Sequence, residues 1–494
     1  MRIETDPFSQ HLWHALRQKA DLYKDTPPVT YTFTGRRLLA QSRRCLEHIL
    51  TLAAAARLTG DRSYAARAIA EMRDVARFPD WNPSHYLDVA EMAAALAIGY
   101  DWLYDELTDA DRDLVAGALE LLALRPSFDG PRENLWWVEG TNNWNQVCHG
   151  GLSLAALAIA ERRPELAQAV VQRALANIPR AAHSYAPDGA YAEGPTYWDY
   201  GTLYHVLLAA ALERVTGSAQ GLDEFPGFRE SGDYIPQVTT PTGRLYCYSD
   251  ADERRLFAIP LFWFARRFQC PELVRHELEN LERYLDAYEK QAHNEDFRYL
   301  ALALLWAPVP VAARPAAPRP LRWHARGVNP IAVFRSAWDD PAALFAGLKG
   351  GSPRDPHAHM DAGSYILEAD GVRWALDLEK QDYAVIEGAG LALWDARQDA
   401  DRWKVFRLGP DSHNILRFDG AAPCITGRAE FLHVETAGSM PRAVLDLDSL
   451  YAGQVASRAA RASVAGARRP APGRVAGRRE CGRGRLADAH ARAD

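Results

Sequence analysis

Two histidines stand two residues apart in Arg354-Asp-Pro-His357-Ala-His359-Met-Asp361-Ala-Gly-Ser364. On an extended segment, side chains at i and i+2 leave the same face, so both imidazoles are expected to serve one site. Imidazole titrates near neutrality and is also a common metal ligand, which suits the pair to proton transfer or to coordination. A His-x-His also fits the polar face of an ordinary strand. Residues elsewhere in the chain decide between these readings.

Two other stretches carry complementary chemistry. In Gly140-Thr-Asn142-Asn143-Trp144-Asn145-Gln-Val-Cys-His149, a helix starting near Asn143 puts Asn145 and His149 on one face. One asparagine is what a helix cap needs, and three around a tryptophan exceed that need. In Asp188-Gly-Ala-Tyr191-Ala-Glu193-Gly-Pro-Thr-Tyr197-Trp198-Asp-Tyr200, the Pro-Asp-Gly turn and the Gly-Pro break place Tyr197 at a helix mouth, on one stripe with Tyr200 and Tyr204.

A tyrosine, a histidine and an amide donor make a set suited to β-elimination on a uronic acid. The amide or histidine stabilises the enolate-like charge that develops at the carboxylate. A tyrosinate or histidine takes the C5 proton, and a tyrosine hydroxyl protonates the departing glycosidic oxygen. A phenol acting as base needs a nearby cation to lower its pKa, and His357 or Arg354 would supply it.

These residues need two kinds of scaffold. From Arg36 to about Trp306, apolar residues recur at helical spacing in some ten runs separated by short Gly, Pro or Asp links, which predicts paired antiparallel helices. Aromatic residues gather in the links, as at His85-Tyr86 and Trp136-Trp137, where they suit sugar rings or core packing. Pro308 to Pro320 is a stiff Pro/Ala-rich connector. Beyond it the apolar period falls to two at 331–335, 343–349, 364–369, 372–378 and 415–418, with Asp370-Gly371 as a hairpin turn. The expected organisation is a helical domain over 1–307, a linker over 308–320, an incomplete antiparallel β-sandwich over 321–451 and an Arg/Ala/Gly-rich tail over 452–494. That tail reads as a disordered basic extension, or as the product of a shifted reading frame in a GC-rich gene.

Bulk properties narrow the classes. The chain has 57 basic and 64 acidic residues, but ten arginines and only three acids follow residue 451, so the body carries about -14. That disfavours nucleic acid as a partner. Six scattered cysteines without a C-x-x-C argue against a zinc ribbon and a disulfide framework. No run reaches membrane-spanning length, and the N-terminus lacks an apolar signal region. The expected location is therefore cytoplasmic, or periplasmic if the start is misassigned. An oligomer is compatible with the sequence.

With these residues in view, the chain resembles the heparinase II/III-like polysaccharide lyases, over roughly Tyr31 to Leu450. The resemblance rests on Asn143-Trp-Asn145, on Asp188-Gly-x-Tyr-x-Glu193-Gly-Pro-x-Tyr197-Trp, on His357-Ala-His359-x-Asp-x-Gly-Ser364 and on His413-Asn414. It implies an incomplete (α/α) toroid followed by an antiparallel β-sandwich. It also implies a uronate-containing poly- or oligosaccharide as substrate. By the same resemblance, Tyr197 and His357 are catalytic, and Asn143, Asn145 or His149 neutralises the substrate carboxylate. Trp144, Glu193, Trp198, Tyr200, Arg354, His85 and Trp137 are the expected substrate contacts. Some relatives hold a structural zinc ion, and the matching ligands would be His359, Asp377 and His413. No organic cofactor is expected.

The asparagine stretch lacks the Asn-His pair of some alginate-cleaving relatives, so alginate is not favoured over glycosaminoglycans. A glycoside hydrolase on a helical scaffold would need two carboxylates, for which Asp188 and Glu193 are available. A non-catalytic carbohydrate-binding relative is the third reading.

Overall fold

The computed structural model describes residue 3, residues 5–290, 297–307, 319–437 and 441–454, and the backbone of 461–465. The chain divides into two compact units. The first comprises 1–184, 197–232 and 256–314, and the second 185–196, 233–255 and 315–494. The second unit thus takes in two segments that lie within the expected helical domain.

The first unit is helical. Its long helices are Pro7–Asp25, Leu39–Thr59, Arg62–Val75, Tyr86–Trp102, Asn143–Ala158, Pro164–Ala182 and Pro195–Thr216, with shorter ones including Asp109–Ala118, Ile259–Arg267, Leu281–Glu289 and Leu300–Trp306. The Pro7–Asp25 helix precedes the first expected one. Asp6 caps it, accepting from the Ser9 amide, and Leu12, Leu16 and Tyr23 bury its inner stripe. Gly60 closes Leu39–Thr59 in a left-handed conformation (φ 73°), the stop its position in the sequence predicts.

Two glycines let the Asn143–Ala158 helix pack close to its neighbours. A Cβ on Gly151 would lie 2.4 Å from the Ala90 carbonyl oxygen, and one on Gly150 would lie 2.7 Å from that of Tyr204. Both obstacles are backbone atoms, which cannot swing aside.

The second unit holds a five-stranded antiparallel sheet in the order β1 (Arg322–Ala325), β2 (Ile331–Arg335), β3 (Phe345–Lys349), β4 (Tyr365–Ala369) and β5 (Val372–Ala375). A second sheet runs β6 (Glu430–Glu435), β7 (Arg442–Asp446), β8 (Arg461–Ala465). Phe334 and Leu348 of the first sheet share a buried core with Ala443 and Leu445 of the second, which makes a sandwich. Asp370 and Gly371 both have positive φ (55° and 75°), as a two-residue hairpin turn requires.

Two expectations fail locally. Residues 415–418 form no strand. Neighbouring Asn414 instead donates its side-chain amide to the carbonyls of Tyr365 and Leu376, taking acceptors near the edge of the first sheet. Conversely, β8 lies within the stretch expected to be a disordered tail, paired antiparallel with β7. A ladder of backbone hydrogen bonds needs no aromatic or alternating pattern, so residue types alone carry little sign of it. The rest of 455–494, and the linker residues 308–318, lie outside the described residues.

The glycine packing has a measurable consequence. Gly151→Ala should destabilise the protein by about 1–3 kcal/mol in urea unfolding, although alanine is the better helix former. Unchanged or raised stability would show that the helices move apart at little cost.

Candidate functional site

In the second unit the segment carrying His357 is held in an unusual conformation. His357 has φ 56°, in the left-handed region that side chains with a Cβ rarely adopt. Its carbonyl accepts from the Asp250 amide at 3.0 Å, and the next amide, of Ala358, donates to the Asp355 carbonyl. Its Nδ1 lies 2.5 Å from Glu193 Oε2, with both side chains nearly buried. A carboxylate can only accept, so Nδ1 carries the proton and Nε2 becomes the nitrogen that exchanges one. Glu193 was expected to touch substrate. It is fully buried and instead orients His357.

The second histidine of the pair points to different partners. His359 Nε2 donates to Asp250 Oδ1 at 2.7 Å, while Asp250 Oδ2 accepts from the Tyr383 hydroxyl at 2.6 Å and lies 3.6 Å from Arg402. Burial alone would raise the Asp250 pKa. The His359 hydrogen bond, with the charges of His359, Arg402 and His357, outweighs it and holds the carboxyl below the usual range. Beside it, Lys349 Nζ and Asp361 Oδ1 form a wholly buried ion pair at 2.8 Å, and Asp361 Oδ2 accepts from the Ser249 amide. Asp250 was missed at the sequence level. It lies over a hundred residues from His359, and its only local sign is an acid at the end of the apolar run Leu245-Tyr-Cys-Tyr248.

The three expected metal ligands are close together. The His359 and His413 rings lie 5.3 Å apart, and His413 Nδ1 donates to Asp377 Oδ2 at 2.7 Å. Burial would lower the His413 pKa, but the charge and hydrogen bond of Asp377 prevail and raise it. His359 Nδ1, His413 Nε2 and Asp377 Oδ1 are buried without a hydrogen-bond partner. Two imidazoles, a carboxylate and three orphaned atoms fit zinc in chemistry, and Asp250 behind His359 is the usual support of a ligating ring. The arrangement is not a closed site. Among the described residues no group of three His, Cys, Asp or Glu is placed to hold a metal ion, because Asp377 sits on the Nδ1 side of His413, away from the orphaned Nε2.

The first unit carries the amide-bearing stretch. Asn142 caps the Asn143–Ala158 helix, accepting from the Trp144 amide. Asn145 donates to the Val138 carbonyl at 2.9 Å, and His149 Nε2 donates to the same oxygen at 3.1 Å. The two do share a face, as their spacing predicts, but both are spent on one turn of backbone. Burial pushes the His149 pKa down to about 3, so the ring is neutral. Asn143 is fully buried at the first helical position. Tyr197 stands at the third position of the Pro195–Thr216 helix and is partly exposed.

The expected aromatic contacts separate into two groups. Trp144 packs against Trp136 (ring centroids 4.9 Å) and His85 (4.8 Å), and Trp136 is exposed. His85 is anchored by Asp88 at 2.6 Å. Trp137 and Trp198, by contrast, are wholly buried, against Tyr86 and Phe264 respectively. Indoles of that size fill core, and Trp136 is the one of its pair that meets solvent. Tyr200 lies beside Glu91, with the guanidinium groups of Arg43 and Arg298 over its ring at 5.2 and 5.5 Å. Burial and the Glu91 charge raise its pKa, making it a poor base. Arg354 is exposed.

In sequence the chain matches no family model and no curated protein. In structure it matches a mutant of a heparan sulfate lyase, HepC, from Pedobacter heparinus, with a TM-score of 0.51 at 16% identity over 88% of this chain. Heparinase III matches with a TM-score of 0.51 at 13% identity, again over 88%. The fold is that of the heparinase-type lyases. This chain spans 64% of the length of HepC and 71% of that of heparinase III. The helical unit and the sandwich expected from the resemblance are both present in this heparinase-type fold, and among the described residues no helix is long and apolar enough to cross a membrane.

The Asp250 cluster yields a pH test. A carboxyl with a depressed folded pKa stabilises the protein above its unfolded pKa of about 3.9, and that contribution fades as the pH falls below it. Asp250→Asn should therefore cost about 3 kcal/mol in urea unfolding at pH 7, by leaving His359 and Arg402 without their charge partner. The deficit should shrink at pH 3. An equal deficit at both pH values would mean that the Asp250 charge contributes nothing.

Proposed function

We propose that the protein is a lyase that cleaves uronic-acid-containing glycans by β-elimination. The observation that carries this reading is His357, strained in backbone and held by buried Glu193 with Nε2 as its exchanging nitrogen. Strain of this kind persists only where surrounding contacts enforce it, and such positions concentrate at active sites. The lyase fold supports the same reading.

In the proposed reaction the C5–H bond breaks, its electron pair forms the C4=C5 double bond, and the C4–O bond to the leaving sugar breaks. Tyr197 exchanges the proton, taking it from C5 and giving one to the departing oxygen. His357 assists on the charged face, as a proton carrier or by lowering the phenol's pKa. Asn143 or Asn145, or less readily His149, donates to the substrate carboxylate, Asn145 and His149 by giving up the Val138 carbonyl. Trp144, His85 and exposed Trp136 offer a shelf for a sugar ring. A hydrolase is less well supported: Asp188 is bound by Arg326 and Glu193 by His357, so neither carboxylate is placed for the work.

Zinc could bind His359, His413 and Asp377 only if the Asp377 carboxylate left His413 Nδ1 and the orphaned nitrogens converged, and it would then be structural, pinning the segment that carries His357. Metal analysis of the purified protein should find about one zinc per chain, and His413→Ala should lose it and melt at lower temperature. A metal-free protein with an unaltered melting curve on chelator treatment would end that part of the proposal.

Heparan sulfate and other uronate polymers should give the ultraviolet absorbance of an unsaturated uronate. Tyr197→Phe and His357→Ala should each lower the rate by about 10²–10⁴-fold while leaving glycan binding in place. Reducing ends released without that absorbance would point to hydrolysis. A near-normal rate in Tyr197→Phe would remove the tyrosine from the mechanism.

A further inference from the structure

Within the second unit, Trp394 is 51% exposed, yet it is not a loosely held surface ring. Its indole stands nearly perpendicular to the His357 imidazole (5.6 Å, 84°) and to the Tyr383 ring (5.2 Å, 72°). The preceding residue, Leu393, is buried in a small core with Ile386 and Leu408, which anchors the loop.

The decisive contact is made by Arg402, whose side chain is almost wholly buried. One guanidinium nitrogen donates to the Leu393 carbonyl at 2.9 Å, and the other donates to the Ala358 carbonyl at 2.8 Å. Leu393 adjoins Trp394, and Ala358 adjoins His357. A single buried cation therefore ties the two backbones together and sets the indole at a fixed place beside the imidazole. Its carbon also lies 5.8 Å from the Trp394 ring centroid.

An exposed ring needs no such clamp if it only covers surface. A pyranose presents an apolar face of C–H groups edged by hydroxyls and, in a uronate, a carboxylate. Trp394, an exposed ring face edged by the His357 imidazole and the Tyr383 ring, matches that mixed character. We propose that Trp394 is a stacking platform for a pyranose ring of the glycan, held in register with His357 by Arg402. The proposal rests on the lyase reading for the identity of the glycan, but its test reads binding alone.

Oligosaccharides of heparan sulfate, hyaluronan and polygalacturonate would be titrated calorimetrically into Tyr197→Phe protein, with and without a change at Trp394. Trp394→Ala and Trp394→Leu should each weaken binding about tenfold, and Trp394→Phe should stay within about threefold of the parent, because it keeps a ring face. Melting temperatures should agree among the four proteins. In the unaltered background, Trp394→Ala should raise KM with little change in kcat. Loss of affinity without any elimination product from the unaltered protein would uphold the platform and sink the lyase reading. Elimination with affinity unaltered in Trp394→Ala and Trp394→Leu would do the reverse. Failure of all three oligosaccharides to bind would overturn the platform.

Discussion

The bond between Glu193 and His357 is the constraint on which the proposed chemistry depends. It joins a fully buried carboxylate to an imidazole that is nearly as buried. Burying either charge alone would be costly, and removing one partner would leave the other uncompensated. The pairing therefore fixes more than a distance. It selects which ring nitrogen carries the proton, and it helps to hold a backbone conformation that costs about 1–2 kcal/mol for a residue with a Cβ. The amide of Asp250 and the guanidinium of Arg402 hold the carbonyls of His357 and Ala358, so the strained segment is fastened at successive peptide units.

The same device recurs around it. Each of the three histidines His357, His359 and His413 is paired with one acid, respectively Glu193, Asp250 and Asp377. Imidazoles paired in this way have defined tautomers, so the nitrogen facing away from the acid has a defined role. For His359 and His413 that nitrogen is buried without a partner. Such atoms cost stability unless something engages them, which is the physical ground for the proposed ion. The helical unit solves a related problem differently. Arg43 and Arg298 share the buried Glu91, which ties three separated parts of the chain together under Tyr200.

Much of this was legible in the sequence, and what was not has physical causes. The helical runs, the Asp370-Gly371 turn and strands β2 to β5 follow from apolar period and turn chemistry, both local. The His-x-His pair was visible, but its two rings hydrogen-bond to different acids, and left-handed His357 departs from the extended conformation on which the i, i+2 argument relies. The acids that pair with these histidines were not identifiable as partners, since pairing across more than a hundred residues leaves no local pattern. Trp136 and Trp137 show the same boundary. Adjacent and alike in sequence, one is buried and the other exposed, and only the packing around Tyr86 separates them. Strands β6 and β7 escaped notice because short, partly exposed strands carry little alternation.

The second unit is threaded from three stretches of chain, 185–196, 233–255 and 315 onward, with helices of the first unit intervening. Glu193 and Asp250 come from the first two stretches, while the histidines they orient come from the third. During synthesis on the ribosome, these acids emerge well before their imidazoles and must wait for them. Closure of the sandwich is thus a late event governed by long-range pairing, which is slow. A fragment cut at the proline-rich connector would retain both histidines of the pair and neither of the carboxylates that orient them.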